Sequence, residues 1–266
     1  MPELPDVEYL REYAEATSLH KEVASTSLND ASLLENTSAQ LLARRLKGAQ
    51  FDAARRHGKH LFLRLAARPD SAQALMLHFG MTGTLRSYSS STDGTPPEYT
   101  ALELRFSDGT ALACVNKRRL GQIAIVEDID AYVREQELGP DALSVTRDQL
   151  AAIIHDGRGA VKSTLMNQSR LAGLGNIYTD EVLFQSRVDP RLNCGEITDS
   201  QLRAIHEQIR RVCKEAIGAH AEPQAMPDSF LIHRREPGAE CPRCGGTVKK
   251  VTVSGRSAYL CESCQG

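Results

Sequence analysis

Apolar positions change their period along this chain, and the change divides it. Near the start, Val7, Leu10 and Ala14 recur at helical spacing. Pro5, Asp6 and Glu8 suit a first helical turn, where a missing amide proton costs nothing and negative charge meets the helix dipole. A leading helix near residues 5–16 is therefore predicted. From about 40 to 127 the period becomes two. Leu61, Leu63 and Leu65 alternate with Phe62 and Arg64, and Leu102, Leu104 and Phe106 alternate ahead of a hairpin turn at Ser-Asp-Gly-Thr (107–110). Leu112 and then Ile123 to Val126 supply further strands. Several short strands punctuated by turns predict a β-sandwich. The polar stretch 87–98 reads as a mobile loop.

Beyond 130–140 the period is helical. Thr146 with Gln149, and Thr198 with Gln201, have the spacing of capping boxes. They predict helices running to roughly 155 and 217, with Gly218 placed to stop the second. Between them a Gly-Leu-Gly turn (173–175) opens a helix at Asn176, which can serve as its N-cap. Residues 219–229 form a short connection to a C-terminal module, and no internal repeat is present. Three parts are expected, 1–130, 131–229 and 230–266, in an α+β fold.

Composition narrows the class. The 266 residues are 41% apolar and 25% charged with a net charge of −2, enough to bury cores and unlike a disordered chain. No apolar run reaches the roughly 18 residues of a membrane span, and Met-Pro-Glu-Leu-Pro-Asp lacks the order of a signal peptide. A cytoplasmic protein is the expectation. The seven cysteines argue against a disulfide framework. Cys241, Cys244, Cys261 and Cys264 form C-x2-C-x16-C-x2-C, in which the spacer can make a β-hairpin that returns the second pair to the first. Four thiolates suit one structural Zn²⁺. Cys114, Cys194 and Cys213 are scattered and read as buried thiols.

Pro2 carries candidate chemistry. With Met1 removed it becomes a secondary amine at the terminus. An α-amino group titrates at about 7.7–8.0, against about 10.4 for lysine, so it is largely available near neutral pH. Such an amine can attack an aldehyde-level carbon and give an iminium ion, and Glu3 beside it can shuttle protons.

Pro-Glu-Leu-Pro-Asp-Val-Glu (2–8) resembles the N-terminal signature of the formamidopyrimidine-DNA glycosylase (Fpg/Nei) family. Further resemblances follow in order: Gly-Lys-His-Leu (58–61), Leu-His-Phe-Gly-Met-Thr-Gly (77–83), Arg-Arg-Leu-Gly (118–121), Gly-Leu-Gly-Asn-Ile-Tyr (173–178) and Ser-Gly-Arg (254–256). The resemblance implies an N-terminal β-sandwich with a leading helix, a helix-two-turn-helix domain and a zinc-finger hairpin. It implies a monomeric, bacterial-type enzyme of base excision repair acting on damaged double-stranded DNA as glycosylase and AP lyase. The lesion would be flipped out of the duplex. Pro2 would attack C1′, and Glu3 would protonate the opening sugar. β- and δ-elimination would then cut the strand.

Catalytic roles are implied for Pro2, Glu3, Lys59 and Arg256, the last two as phosphate contacts, Lys59 from a hairpin tip and Arg256 bidentate. DNA-binding roles are implied for His78, Met81, Arg118, Leu120, Lys162 and Asn176, with a satisfied half-buried histidine the rival reading for His78. Met81, Arg118 and Leu120 would fill the vacated space, with core packing the rival reading for Met81 and Leu120. Lys162 would meet a phosphate or stay solvated. Asn176 and the helix amides behind it would bind a phosphate. Leu120 stands where the family has Phe, and Asp6 where it usually has Glu, which leaves the role of Asp6 open. Glu8 would face solvent or cap the helix. Basic runs at Arg55, Arg56, Lys59 and Arg64, at Lys117 to Arg119, and an excess of +3 over 230–266 would concentrate positive charge despite the acidic total.

The Pro-Glu-Leu-Pro start resembles the formamidopyrimidine branch of the family, which implies oxidised purines of the formamidopyrimidine and 8-oxoguanine type as substrates. The 219–229 connection is shorter than the segment that closes over 8-oxoguanine in that branch, so the resemblance leaves pyrimidines, abasic sites and unusual lesions open. Two other classes compete: a catalytically silent DNA-binding protein and a zinc-ribbon adaptor.

Overall fold

The structure, a computed structural model, describes residues 1–66, 73–89 and 94–266. It divides into two compact units, Met1–Pro2 with Val7–Gln136, and Glu3–Asp6 with Glu137–Gly266. Helix α1 (Leu4–Ser18) begins in the second and continues in the first.

The first unit is a β-sandwich of two four-stranded antiparallel sheets. One sheet has the order β1 (Val23–Leu28), β6 (Thr100–Phe106), β7 (Thr110–Asn116), β5 (Gly83–Ser89). The other runs β2 (Phe51–His57), β3 (His60–Leu65), β4 (Ala74–His78), β8 (Gln122–Val126). The period-two positions meet in one core: Leu61, Leu63 and Leu65 join Leu102, Leu104, Phe106 and Leu112, with Val7, Leu10 and Ala14 of α1 packed among them. Phe62 is not on a wet face. It is buried with Met76 and Ala124 beneath α3 (Ile129–Glu135), where Tyr132 meets it edge-on at 5.8 Å. A sheet covered on both sides conceals the alternation that a one-sided sheet displays.

Three details differ from the sequence reading. Strand β1 lies ahead of the stretch where period two was expected, and α2 (Ala39–Leu46) interrupts it, capped by the Ser38 hydroxyl on the Leu41 amide. Residues 87–89 of the expected loop complete β5, paired with Leu112, Ala111 and Thr110; residues 90–93 lie outside the described residues.

The second unit is helical: α4 (Arg147–His155), α5 (Val161–Leu165), α6 (Asn176–Gln185) and α7 (Asp199–Gly218), followed by the hairpin β9 (Lys249–Val253) and β10 (Arg256–Leu260) and the short α8 (Glu262–Gln265). Both capping boxes are present at Thr146 and Thr198. The end of α7 differs from expectation. Gly218 is its last helical residue, and the left-handed positions fall on His220 (φ 53°) and Ala221 (φ 57°), with the Ala221 amide donating to Ala216 O. The reversal that usually recruits glycine is thus made after it, by residues that tolerate the conformation poorly. Leu150, Ile154, Leu165, Leu174, Val182, Ile205, Ile209 and Val212 build this core. Leu231, Val248, Cys241 and Cys261 close a smaller one around Phe184 of α6.

Candidate functional site

The Glu3 carboxylate is 1% exposed yet fully engaged. Oε2 accepts from the Gly175 amide at 2.7 Å and the Tyr178 amide at 3.1 Å, and Oε1 from the Ile177 amide at 2.8 Å. These are the orphan donors at the N-terminus of α6, where the helix dipole also favours an anion. The Gly-Leu-Gly turn makes this approach possible. A Cβ at Gly175 would sit 2.4 Å from the Glu3 carboxyl carbon, and one at Gly173 (φ 118°) would sit 2.6 Å from Leu4 Cδ1. The Leu4 amide donates to Gly173 O at 3.0 Å.

This corrects the expectation for Asn176. Gly175, not Asn176, is the N-cap, and three amides expected to hold a phosphate hold Glu3 instead. Asn176 is the first helical residue, and its Oδ1 is buried without a partner among the described residues. Asp6 Oδ2 accepts from the Glu3 amide at 2.8 Å, the reciprocal half of a capping box at the start of α1. Burial pushes the Asp6 carboxyl up to about 6, against the lowering effect of that hydrogen bond.

Lys162 also departs from expectation. Its side chain is 1% exposed, and its ammonium donates to Asp180 Oδ1 at 2.6 Å and Ser257 O at 2.7 Å. The tip of its four-carbon stem is enclosed by these protein partners and is not solvated. Arg256, in contrast, is exposed beside the hairpin turn Ser254-Gly255, whose residues have φ 46° and 78°. That sign pattern is the tight two-residue turn matching strand twist. The Arg256 guanidinium has no hydrogen-bond or ion-pair partner among the described residues.

In the first unit Pro2 is half-buried. Lys59 stands at the two-residue turn between β2 and β3, after Gly58 (φ 56°), and is 8% exposed. Glu8, expected in solvent or at a cap, instead accepts from Arg56 at 2.8 Å and Arg11 at 2.7 Å, and Arg56 donates onward to Gly58 O at 2.9 Å. Glu8 thus braces the turn that carries Lys59. The basic run there is largely neutralised: Arg55 pairs with Asp130 at 2.6 Å and Arg64 with Asp52 at 2.7 Å.

His78 faces His60 across the β3–β4 pair, ring centroids 4.9 Å apart. Burial, then the Lys59 charge, pushes His78 down to about 4, and burial, then His78, pushes His60 down to about 3. Both are neutral at pH 7, so His78 offers a neutral hydrogen-bonding edge and not a cation. Met81 is 40% exposed and Leu120 50%, which excludes plain core packing for either. Gly80 brings their backbones together, since a Cβ there would lie 2.2 Å from Leu120 O. The Arg118 amide donates to Thr82 Oγ1 at 3.2 Å, while its side chain is exposed.

The four cysteine sulfurs lie within 4.8 Å of one another, with Cys241–Cys264 at 3.8 Å and Cys244–Cys261 at 3.6 Å. A tetrahedral ion with Zn–S bonds of about 2.3 Å needs sulfurs about 3.8 Å apart, so one Zn²⁺ fits. All four positions are taken by thiolates, which makes the site closed and structural.

Three residues went unread in the sequence. Asp180 and Glu181 are buried on α6; Glu181 accepts from the Leu231 and Ile232 amides, and Asp180 is joined by Arg235 at 2.6 Å. Two adjacent acids inside an otherwise apolar helix were the available signal, because buried charges require partners. No helix among the described residues is long and apolar enough to cross a membrane.

Family profiles match three successive stretches: the formamidopyrimidine-DNA glycosylase N-terminal domain at 1–123, the H2TH domain of that enzyme at 138–226, and a zinc finger found in FPG and IleRS at 238–266. Among similar proteins are formamidopyrimidine-DNA glycosylases of Paracoccus denitrificans, 32% identical, and Gluconobacter oxydans, 31% identical, each aligned over 100% of both chains. The fold matches that of the Lactococcus lactis enzyme bound non-covalently to DNA containing an AP site, with a TM-score of 0.87, 23% identity and 99% of each chain covered. With full-length similarity and all three parts matched in order, the chain belongs to the formamidopyrimidine-DNA glycosylase family.

Proposed function

We propose that this chain is a bifunctional DNA glycosylase and AP lyase of base excision repair, acting on damaged duplex DNA and excising oxidised purines of the formamidopyrimidine and 8-oxoguanine type. The observation that carries the reading is the residue after Pro2: a buried carboxylate held by three helix-terminal amides. A side chain fixed by three charge-assisted hydrogen bonds pays its ordering cost before substrate arrives. The names of the relatives support the same reading.

The chemistry needs a free Pro2 nitrogen, hence loss of Met1. That nitrogen attacks C1′ of an extruded nucleotide, the N-glycosidic bond breaks, and the base departs with its bonding pair. Glu3 takes up the proton that the attacking Pro2 nitrogen gives up and passes it to the opening sugar oxygen, and the Pro2 nitrogen becomes an iminium ion. Proton loss from C2′ expels the 3′ phosphate, and a second elimination expels the 5′ phosphate. Arg256 and Lys59 grip phosphates. Met81, Arg118 and Leu120 enter the space the nucleotide leaves, the apolar pair as wedges and Arg118 toward the orphaned base. His78 and Asn176 are further DNA contacts. Zn²⁺, held by Cys241, Cys244, Cys261 and Cys264, cross-links the hairpin and takes no part in a step. In this reading 1–130 is the catalytic sandwich, 131–229 the helix-two-turn-helix domain and 230–266 the zinc finger.

Borohydride in the presence of an abasic-site duplex should trap a covalent adduct that maps to Pro2 by mass spectrometry. Chains that retain Met1 should give none. Duplex binding without any trapped adduct would overturn the enzyme in favour of a silent DNA-binding protein.

A further inference from the structure

A two-stranded hairpin has two open edges and is marginal by itself. In the β9–β10 pair, Arg256 faces Val253, Ser257 faces Thr252 and Tyr259 faces Lys250. Antiparallel pairs alternate between bonded and non-bonded positions outward from the turn. Ser257 and Tyr259 fall at the non-bonded ones, so their backbone groups point away from β9.

Side chains of the helices supply what a neighbouring strand would. The Lys162 ammonium donates to Ser257 O at 2.7 Å, and Asp180 Oδ2 accepts from the Tyr259 amide at 3.1 Å. Lys162 and Asp180 are bound to each other at 2.6 Å, 1% and 0% exposed. Arg235 completes the cluster. It donates to Asp180 Oδ2 at 2.6 Å, and its guanidinium lies 4.8 Å from the centre of the Tyr259 ring. Further along, Arg243 between the first two cysteines donates to Phe184 O at 2.9 Å, at the last turn of α6. The first residue beyond the pinned edge is Arg256. The helix that carries Asp180 also supplies, one turn earlier, the amides that hold Glu3.

We propose that Lys162, Asp180 and Arg235 are positioning residues that act as a surrogate strand for the outer edge of β10, fixing Arg256 for the duplex backbone, and that Lys162 makes no phosphate contact. The inference rests on the reading of Arg256 as a DNA contact. Removing the cluster leaves a free edge, lets the hairpin pivot on its zinc, and spreads the Arg256 guanidinium over many positions. Loss of Lys162 and loss of Arg256 then remove the same interaction, and their effects do not multiply.

The test uses the full-length zinc-loaded protein and a duplex carrying a tetrahydrofuran abasic analogue. Dissociation constants are measured for Lys162→Met, Arg256→Ala and the double variant across a salt series. Zinc content and the unfolding transition are recorded for each. Arg256→Ala should weaken binding roughly 10- to 100-fold. Lys162→Met should weaken it at least about threefold and by no more than Arg256→Ala does, wild-type binding by Lys162→Met overturning the positioning role, and the double variant should match Arg256→Ala within about twofold. Factors that multiply, with a salt slope lowered again by Lys162→Met in the Arg256→Ala background, would make Lys162 a phosphate contact and overturn the proposal.

Asp180→Asn supplies a second measurement that does not depend on DNA. Its Tyr259 amide should exchange with solvent at least about tenfold faster, while the Ala258 amide, paired toward Val251, keeps its protection. Unchanged Tyr259 exchange would overturn the staple alone. Wild-type binding by Arg256→Ala would instead overturn the assignment of Arg256, and with it the purpose of the staple.

Discussion

Gly175 is the residue where the fold and the chemistry meet most tightly. Its missing side chain is the space that the Glu3 carboxyl group occupies, 2.4 Å from where a Cβ would be. Gly175→Ala should therefore displace Glu3 and lower the single-turnover rate of base release roughly 100-fold, with duplex affinity changed far less. Equal losses in rate and affinity would mean that the glycine serves binding. Asp6 makes a second prediction. Its folded carboxyl titrates at about 6 against an ordinary 3.8, chiefly through burial. The folded state therefore binds this proton more tightly than the unfolded chain does. The stability it contributes is complete below about pH 4 and is lost as pH rises through 6. Asp6→Asn, which keeps an acceptor for the Glu3 amide without the charge, should match wild type near pH 4. At pH 7 it should be more stable by up to about 3 kcal/mol. Urea denaturation at both pH values measures this, and a gap that shrinks toward neutrality would refute it.

Among the elements, α7 owes its start to a reciprocal cap. The Gln201 amide donates to Thr198 Oγ1 at 3.3 Å and the Thr198 amide donates to Gln201 Oε1 at 3.0 Å. Thr198→Ala removes one half and should cost about 1 kcal/mol in global unfolding. Because α7 contributes Ile205, Ile209 and Val212 to the helical core, the loss should appear as a lower urea midpoint at unchanged slope. Helix α6 is the contrasting case. Its termini are satisfied by other parts of its unit: Glu3 at the front, Arg243 at the back, with Asp180 and Glu181 bonded from its middle. Its position is set by partners brought from far along the chain, not by its own ends.

For the whole molecule the relevant electrostatics are local. The net charge is −2, and Arg55, Arg56 and Arg64 are tied to carboxylates. Under the proposed function, the exposed Arg118 and Arg256 are among the cations that remain to meet phosphate. Duplex affinity should fall steeply between 50 and 200 mM salt, in proportion to the phosphates neutralised. Chelation of zinc should reduce both the affinity and the salt slope. The four thiolates are the main covalent-strength tie across the hairpin that carries Arg256, and a two-stranded hairpin without one is marginal. Titration of duplex against chelator-treated protein, with far-UV circular dichroism confirming that α7 and its neighbours remain helical, checks this. Unaltered affinity after complete zinc loss would contradict it.

The sequence alone determined whatever depends on spacing within a few residues. The strands at 61–65, 102–106 and 123–126, the two capping boxes and the four-cysteine framework were legible, because period, cap and ligand spacing act locally. The motifs in order also carried the family. Only the tertiary structure decided where a side chain ends up when its partner lies far along the chain. Lys162, read as a phosphate contact or a solvated lysine, is enclosed by Asp180 and Ser257. The amides of α6 looked free for an anion until Glu3, more than 170 residues earlier, was seen to occupy them. Charges can be counted along a chain, but burial fixes which are paired, and burial is a property of packing in three dimensions.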